Sequence, residues 1–199
     1  MKIIKDPVHG YVEADATALR LLDSEELQRL RHVSQLGFAN LVYPGANHTR
    51  FEHSLGTMHL AGLMCRELGL DDGETKLVTT AALLHDVGHG PFSHVTEPVM
   101  EEFTGRSHHQ IDCLVGEGTI AAVLEAEGID PAEVCAAVSG EHRLASIIHG
   151  SLDVDRMDYL MRDAHYTGVP YGTVDAHRLI RSTILTDSGV ALYEGGINA

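Results

Sequence analysis

Residues 85–94 read His-Asp-Val-Gly-His-Gly-Pro-Phe-Ser-His and follow directly on an apolar run. His85 and Asp86 can offer one ion a neutral nitrogen and an anionic oxygen, and His89 lies one predicted helical turn beyond His85. The two glycines and the proline predict that the helix stops here, so that His94 approaches from a loop. An aspartate so near an apolar core is costly unless it is paired or bound to a metal. We therefore interpret the stretch as a metal site; the alternative is a histidine-rich helix end whose rings contact the terminal carbonyls.

The length and composition of the chain limit its organisation. With 199 residues and 44% hydrophobic content, we expect one domain, residues 1–199, with a sizeable buried core. No apolar run reaches the length of a membrane span and the first residues lack a signal-peptide pattern, so we expect a soluble, cytoplasmic protein without a membrane partner. Residues 194–199 resemble the start of another element, which is typical of the N-terminal part of a longer protein.

The charge and the cysteines exclude further classes. The formal net charge of −15 argues against a nucleic-acid partner, because duplex binding normally uses a basic surface. A small anionic ligand is compatible with this charge, since a few local arginines and a metal outweigh distant screened charges. Cys65, Cys113 and Cys135 are odd in number and widely spaced. Cys65 and Cys135 lie among apolar neighbours in helical patterns and are predicted to be buried thiols without a disulfide.

The hydrophobic pattern predicts an all-α fold, a helical bundle with a short β-hairpin near each end. Residues 2–5 and 11–13 are expected to pair across a turn, and residues 184–193 to form the second hairpin. Helical periodicity covers the sequence between the two hairpins.

Several residues mark helix boundaries within this periodic sequence. Asp130 followed by Pro131 predicts a helix start, because aspartate caps a helix N-terminus and proline fits its first position. Gly128 and Gly168 predict helix C-termini, where a left-handed residue commonly follows the last turn.

Two further clusters are candidates to complete the metal site. His53 lies near a predicted helix N-terminus beside Arg50, although a lone histidine is more often a structural group than a ligand. Asp155, Tyr159 and Asp163 recur at i, i+4 and i+8, so they fall near one line of a helix. The alternative for the second cluster is an ordinary solvated face, since aspartate and arginine at helical spacing commonly form surface ion pairs.

The order of these clusters, His53, then His85-Asp86, then Asp155, resembles the H…HD…D signature of the HD-domain phosphohydrolases. Short sequence motifs in other parts of the chain narrow the resemblance to the deoxynucleoside triphosphate triphosphohydrolase branch of that superfamily. These motifs lie at residues 6–10 (DPVHG), 28–31 (QRLR), 35–37 (QLG), 43–46 (YPGA), 50–56 (RFEHSLG) and 85–94. The resemblance extends from about Lys2 to Arg181, nearly the whole chain.

The resemblance implies a metal centre and an acid–base cluster. The implied metal ligands are His53, His85, Asp86 and Asp155. Two imidazoles and two carboxylates suit Mn, Fe, Ni, Co or Zn better than Mg, which is expected on the substrate phosphates. The implied catalytic residues are His89, His94, His108 and Glu97. Relatives commonly carry glutamate where His109 stands, and we favour His108 as the inward-facing histidine of the pair.

The resemblance implies hydrolysis of deoxynucleoside triphosphates, dGTP among them, to a deoxynucleoside and inorganic triphosphate. Water attacks the α-phosphorus while His94 or His89 protonates the departing 5′-oxygen. The residues implied to hold the substrate are Arg50 and Arg156 on the phosphates, Gln35 and Asp163 on the sugar 3′-hydroxyl, Tyr159 beside the sugar, and Leu36 at the 2′ position.

Three alternatives stay open at this point. The same fold could hydrolyse another nucleotide or phosphate ester, with a second ion bound by His89, His94 and His108. It could also serve as a nucleotide-sensing module with weak catalysis. A purely structural helical domain is the third alternative, and it leaves the costly His85-Asp86 pair unexplained.

A regulatory site is also implied. Five residues match, in spacing and type, those with which a mammalian member of the branch binds a guanine nucleotide away from its active site: Lys2, Ile3, Asp23, Gln28 and Arg31. Such a site would lie between subunits, so we expect a homo-oligomer that a guanine nucleotide activates. The alternative is that Asp23 caps a helix over residues 24–36, with Gln28 and Arg31 exposed on it.

Overall fold

A bundle of helices with a two-stranded hairpin near each end is seen in the computed structural model of the protein, which describes residues 1–193. The strands are β1 (Lys2–Asp6), β2 (Gly10–Ala14), β3 (Thr183–Thr186) and β4 (Gly189–Leu192). The helices of this part of the chain are α1 (Ala16–Leu22), α2 (Glu25–Arg29), α3 (Arg50–Leu68), α4 (Asp72–Leu84), α5 (Glu97–Thr104), α6 (Asp112–Gly116), α7 (Gly118–Glu127), α8 (Pro131–Ser139), α9 (Val154–Thr167) and α10 (Ala176–Arg181). None of these described helices combines the length and the apolar character that crossing a lipid bilayer requires. The predicted all-α class is confirmed, and the expectation for residues 194–199 lies outside the described residues.

The N-terminal hairpin is closed by a buried carboxylate. Strands β1 and β2 pair antiparallel, with Asp6 opposite Gly10. Asp6 Oδ1 accepts hydrogen bonds from the backbone N–H groups of Val8 at 2.9 Å and His9 at 2.8 Å. Gly10 has φ +80°, a left-handed conformation that favours glycine. This hairpin and the C-terminal one, β3 with β4, confirm the two predicted hairpins.

Side chains and glycines end several helices where the sequence predicts. Glu52 accepts a hydrogen bond from Thr49 N at 2.7 Å in a capping box that starts α3. Asp130 caps α8, as predicted. Gly128 and Gly168 adopt left-handed conformations directly after α7 and α9, which confirms both predicted helix ends.

Helix α3 lies at the centre of the core and packs against α4 and α9. It buries Leu55, Met58 and Cys65, and α4 buries Val78 and Leu83. A fully buried aliphatic side chain of this kind contributes roughly 1.5–3 kcal/mol to folding. The same packing brings the first turn of α3, the end of α4 and the first turn of α9 to one place.

Helix α4 ends earlier than the sequence predicts. Its last residue is Leu84, and the chain continues in turns, with the Val87 N–H donating to the Leu84 carbonyl at 3.0 Å. Arg29 donates to the carbonyls of Val87 at 2.6 Å and of His89 at 2.7 Å. Because the Arg29 side chain supplies hydrogen bonds to these carbonyls, the backbone can leave the helical conformation before it reaches Gly88 and Gly90. The expectation that His89 continues the helix of His85 is therefore wrong.

The helix considered over residues 24–36 is also shorter. Helix α2 ends at Arg29, and residues 30–49, where helical periodicity predicted helix, form 3₁₀ turns and loops with one isolated β-bridge between Ser34 and Thr49. Gly37 in this segment has φ +55°, which a helix does not accommodate. Ser24 caps α2, so the alternative that Asp23 is its cap is wrong.

The cysteines differ in their surroundings. Cys65 is buried, Cys135 is half-buried and Cys113 is exposed, and all three are free thiols. Burial raises the pKa of Cys65 to about 12 and also raises the pKa of Cys135. The prediction of a buried thiol is confirmed for Cys65, whereas Cys135 is only partly covered.

Candidate metal centre and active site

Four side chains from three elements converge beside the core. His53 lies in the first turn of α3, His85 and Asp86 directly follow α4, and Asp155 lies in the first turn of α9. His53 Nε2 lies 3.0 Å from Asp155 Oδ1 and 3.6 Å from Asp86 Oδ2. His85 Nε2 lies 3.5 Å from Asp86 Oδ1 and 3.7 Å from Asp155 Oδ1. Such separations suit atoms that each lie roughly 2.0–2.2 Å from one shared ion. The structure thus brings together the four residues predicted to bind metal.

In both His53 and His85 the Nδ1 atom has a hydrogen-bond partner, as expected of a histidine that binds a metal through Nε2. His53 Nδ1 lies 2.7 Å from Asp158 Oδ2, and His85 Nδ1 lies 2.8 Å from the Ala82 carbonyl oxygen. A proton on each Nδ1 leaves the lone pair on Nε2, where the two carboxylates converge. His85 Nε2 is buried and has no hydrogen-bond partner among the described residues. A buried imidazole nitrogen of this kind calls for a ligand, and a divalent metal fits it.

The buried carboxylates make the cluster attract positive charge. Burial alone would lower the pKa of His53, but hydrogen bonds to Asp155 and Asp158 outweigh it and raise that pKa to about 10. The pKa of His85 is raised against the effect of burial, first by the charge of Asp86. The pKa values of Asp86 and Asp155 in turn lie well below their usual range, because the neighbouring cations outweigh burial. Protons and a metal cation would compete for this site.

A second group of histidines adjoins the first. His89 Nε2 lies 3.3 Å from Asp86 Oδ1, and the His89 ring stacks on His108 with centroids 3.9 Å apart. Glu97 bonds both of the remaining imidazoles, accepting at Oε2 from His94 Nδ1 at 2.8 Å and at Oε1 from His108 Nδ1. Burial lowers the pKa of His89 to about 4. The four predicted catalytic residues therefore form one cluster, in which His94 is the most exposed; their catalytic roles stay a prediction.

Arg50 belongs to the wall of the centre. Its side chain is buried, Nη1 lies 2.5 Å from Asp86 Oδ2, and Nε donates to Ser93 Oγ at 2.7 Å. Phe92 and Ser93 both have positive φ, +61° and +53°. Such conformations cost on the order of 1–3 kcal/mol for residues other than glycine and cluster at functional sites. Through its contact with Asp86 Oδ2, the Arg50 guanidinium, which is predicted to hold phosphate, also orients the Asp86 carboxylate.

Two of the residues predicted to hold the sugar, Gln35 and Asp163, bond to His48. The Gln35 N–H donates to the His48 carbonyl at 3.1 Å, and His48 Nε2 lies 2.8 Å from Asp163 Oδ1. Gln35 Oε1 is buried without a hydrogen-bond partner in the part of the chain that the structure describes. Leu36 and Tyr159 are half-buried. His48 thus joins Gln35 to Asp163, through its backbone carbonyl on one side and its imidazole on the other.

Arg156 lies apart from this arrangement. Its side chain is 53% exposed, and its Nη2 lies 3.9 Å from Asp153 Oδ2 at the start of α9. The structure therefore places this predicted phosphate-binding guanidinium at the surface.

The predicted effector residues are partly engaged within the chain. Gln28 Nε2 donates to the Leu22 carbonyl at 2.6 Å, and Arg31 Nε donates to Gln28 Oε1 at 2.8 Å. The Arg31 guanidinium also lies 3.6 Å from the centroid of the Phe51 ring. The other three, Lys2, Ile3 and Asp23, are exposed.

His149 adjoins the centre although nothing in its sequence context singles it out. Its Nδ1 lies 3.7 Å from Asp155 Oδ2, and its ring centroid lies 5.8 Å from that of His85 and 5.4 Å from that of His109. Burial lowers its pKa to about 4. Its Nε2 is buried without a partner within residues 1–193. A lone histidine in an irregular segment gives no signal that sequence reasoning could use.

Comparisons with known proteins agree with this geometry. The HD domain family model matches residues 50–163, more than half of the chain. An uncharacterized protein of Methanocaldococcus jannaschii is 40% identical over all of this chain and 42% of its own length. Human deoxynucleoside triphosphate triphosphohydrolase SAMHD1 is 32% identical, over 85% of this chain and 34% of its own length. The crystal structure of a phosphohydrolase from Bacteroides thetaiotaomicron superimposes with a TM-score of 0.85 at 35% identity, over 100% of this chain and 50% of that one.

The chain thus spans half or less of the length of these relatives. The family match covers α3 through most of α9, the elements that carry the converging His53, His85, Asp86 and Asp155. The chain therefore belongs to the HD-domain superfamily of phosphohydrolases.

Proposed function

We propose that the protein is a metal-dependent hydrolase that converts deoxynucleoside triphosphates to a deoxynucleoside and inorganic triphosphate. The observation that carries this proposal is the unpartnered, buried His85 Nε2, which faces Asp86 and Asp155 directly beside the Glu97 histidine cluster. A metal centre next to acid–base groups can polarise a phosphoryl group and transfer the protons that phosphate ester hydrolysis involves.

The residues that would hold the ion are His53, His85, Asp86 and Asp155. Their mixed nitrogen and oxygen donors suit Mn, Fe, Ni, Co or Zn. Bound there, such an ion supplies Lewis acidity to a phosphoryl group.

The histidine cluster would handle the protons. A water oxygen forms the new bond to the α-phosphorus as the water gives up a proton to the solvent, and the bond from the α-phosphorus to the 5′-oxygen breaks. Glu97 orients His94 and His108 through Nδ1, whereas His89 Nε2 faces Asp86, so we assign proton transfer to the departing 5′-oxygen to Nε2 of His94 or His108 in place of His89. Arg50 holds Asp86 in place and contributes positive charge where phosphate oxygens would lie.

Gln35 and Asp163 would recognise the sugar. Both contact His48, and the free Gln35 Oε1 can accept a hydrogen bond from a 3′-hydroxyl. Leu36, the next residue, would crowd the 2′ position and select deoxyribose. The name of the human relative, deoxynucleoside triphosphate triphosphohydrolase, supports this substrate class.

The test is triphosphate release from each deoxynucleoside triphosphate with and without Mn²⁺. We expect Mn²⁺-dependent release in the parent, none in His85→Ala, and parental rates in His177→Ala, which changes an exposed histidine. A ribonucleotide panel tests the sugar assignment, because equal rates for GTP and dGTP would contradict it. If the protein hydrolyses phosphate monoesters and no deoxynucleoside triphosphate, the proposed function is wrong and the protein is a phosphohydrolase of another kind.

A guanine nucleotide effector and a homo-oligomer are part of the proposal. Asp23 and Lys2 are exposed and can bind a guanine base and a phosphate, respectively. In the parent, GTP should increase both the oligomeric size, measured by size-exclusion chromatography, and the rate of dATP hydrolysis. In Asp23→Ala, GTP should change neither quantity. Unchanged size and turnover in the parent would remove the regulatory proposal and leave the catalytic one intact.

A further inference from the structure

A buried carboxylate behind the metal centre bonds three side chains at once. Asp158 on α9 is fully buried. Its Oδ2 lies 2.7 Å from His53 Nδ1 and accepts from Arg162 Nε at 2.9 Å. Its Oδ1 lies 2.5 Å from His9 Nε2 and accepts from Arg162 Nη2 at 2.9 Å. Every one of these contacts restricts how the carboxylate can rotate.

The network extends into the N-terminal hairpin. Arg162 is also fully buried, and its Nη1 donates to Asp6 Oδ2 at 2.9 Å. The other oxygen of Asp6 accepts from the backbone N–H groups of Val8 and His9. The turn of the hairpin is thus fixed to α9 by two buried contacts, Asp6 with Arg162 and His9 with Asp158.

Gly56 on α3 makes room for this network. A Cβ placed on Gly56 would overlap the Asp158 carboxylate and the Arg162 guanidinium. Gly62, six residues along the same helix, has only ordinary contact with Thr79 Cγ2, at 3.7 Å. Glycine is unfavourable inside a helix, so its presence at position 56 needs a reason, and the space for Asp158 supplies one.

We propose that Asp158 is a positioning residue of the metal centre and that the Asp6–His9 turn, acting through it, is a structural part of that centre. This inference rests on the proposed metal site. By accepting the Nδ1 proton, Asp158 keeps the lone pair of His53 on Nε2, directed at Asp86 and Asp155. Arg162 and His9 hold the carboxylate in the one orientation that does this.

Cobalt binding measured by absorption spectroscopy tests the inference without an activity readout. Partners that orient a metal-binding histidine are typically worth about 10–100-fold in metal affinity. We expect Asp158→Asn and Gly56→Ala to weaken Co²⁺ binding by roughly that factor and to change the ligand-field spectrum of the bound ion. Gly62→Ala is the matched control, and we expect it to retain the parental affinity and spectrum. Far-UV circular dichroism establishes that each variant is folded.

The His9 position gives an independent pair of variants should Asp158→Asn not fold. His9→Ala removes the donor to Asp158, whereas His9→Gln supplies an amide N–H that can replace it. Weaker Co²⁺ binding in His9→Ala, recovered in part by His9→Gln, supports the inference. Parental affinity and spectrum in folded Gly56→Ala and His9→Ala would overturn it, while loss of Co²⁺ in His85→Ala would still uphold the metal site. A parent that binds no Co²⁺ overturns the metal site and the inference together.

Discussion

His94 and His108 bond opposite oxygens of one carboxylate, that of Glu97. The two imidazoles come from different segments, the 3₁₀ turn Ser93–Val95 and the loop after α5. The hydrogen bonds outweigh burial and lower the pKa of Glu97 to about 2, so the carboxylate stays ionised across the neutral range. Glu97 therefore orients both histidines without itself exchanging protons near neutral pH.

Replacing Glu97 with glutamine should impair catalysis without removing metal. The amide cannot accept a hydrogen bond at both of its positions, so one imidazole loses its orientation. We expect kcat to fall about 10²-fold, the lower end of what general acid–base groups contribute. Metal content, measured by elemental analysis, should match that of the parent. Glu101→Gln on the same helix is the control, and an equal loss in that variant would contradict the role of Glu97.

Metal should stabilise the folded protein. The ligands come from α3, the end of α4 and α9, so the unfolded chain cannot assemble them. At a free Mn²⁺ concentration of one hundred times Kd, linkage adds about 2.7 kcal/mol and should raise Tm by roughly 5–10 °C over the protein in chelator. Calorimetry measures this shift. Asp86→Ala should show little response, and a full response in that variant would place the ion elsewhere.

Acid should destabilise the fold partly through His59. Burial, with help from electrostatic interactions with His9, His177 and Arg66, lowers the pKa of His59 to about 4. The unfolded chain takes up this proton near pH 6.5, whereas the folded chain does so only near pH 4. Stability is therefore lost as the pH falls from about 6.5 to about 4.

The variant His59→Gln tests this linkage. Urea unfolding of parent and variant in chelator, across that pH window, should show proton uptake on unfolding that is smaller in His59→Gln by up to one proton. Identical pH dependence in the two proteins would show that His59 is not held neutral.

The cysteines should react at very different rates. Cys113 is exposed, whereas Cys65 is buried with a pKa raised to about 12, and the thiolate is the reactive form. A thiol reagent at pH 8 should modify Cys113 first and leave Cys65 unmodified until the protein unfolds. Peptide mapping after timed alkylation identifies the sites. Early labelling of Cys65 would show that the core around α3 opens readily.

The hairpins and helix ends could be predicted because local chemistry decides them. Asp130 caps α8 and Gly168 ends α9, as their side chain and backbone preferences indicate. The residue types mark His53, His85 and Asp155 only as candidates for one site, and it is the resemblance that predicts their convergence, since their spacing in the sequence does not fix distances in space. The early end of α4 could not be predicted, because Arg29, which bonds the carbonyls of the turns that follow, comes from a distant segment and leaves no local signal.

Asp158 and Arg162 illustrate what the sequence could not reveal. Their i, i+4 spacing is typical of a surface ion pair. The fold instead buries both completely, because the hairpin turn and Gly56 enclose them. Whether a charged pair is solvated or buried depends on which elements pack over it, and that is a tertiary property.

The hairpin contacts show that the residues joined by buried ion pairs extend beyond the residues that the family model matches. The HD domain family model matches residues 50–163, yet Arg162 and Asp158 near the end of that stretch are bonded by Asp6 and His9, which lie outside it. A fragment cut at the family boundary would leave a buried guanidinium short of one carboxylate, and breaking a buried ion pair costs about 3–5 kcal/mol. The set of residues that must stay together to keep this ion pair therefore extends to the hairpin, whose first strand begins more than forty residues before the stretch that the HD domain family model matches.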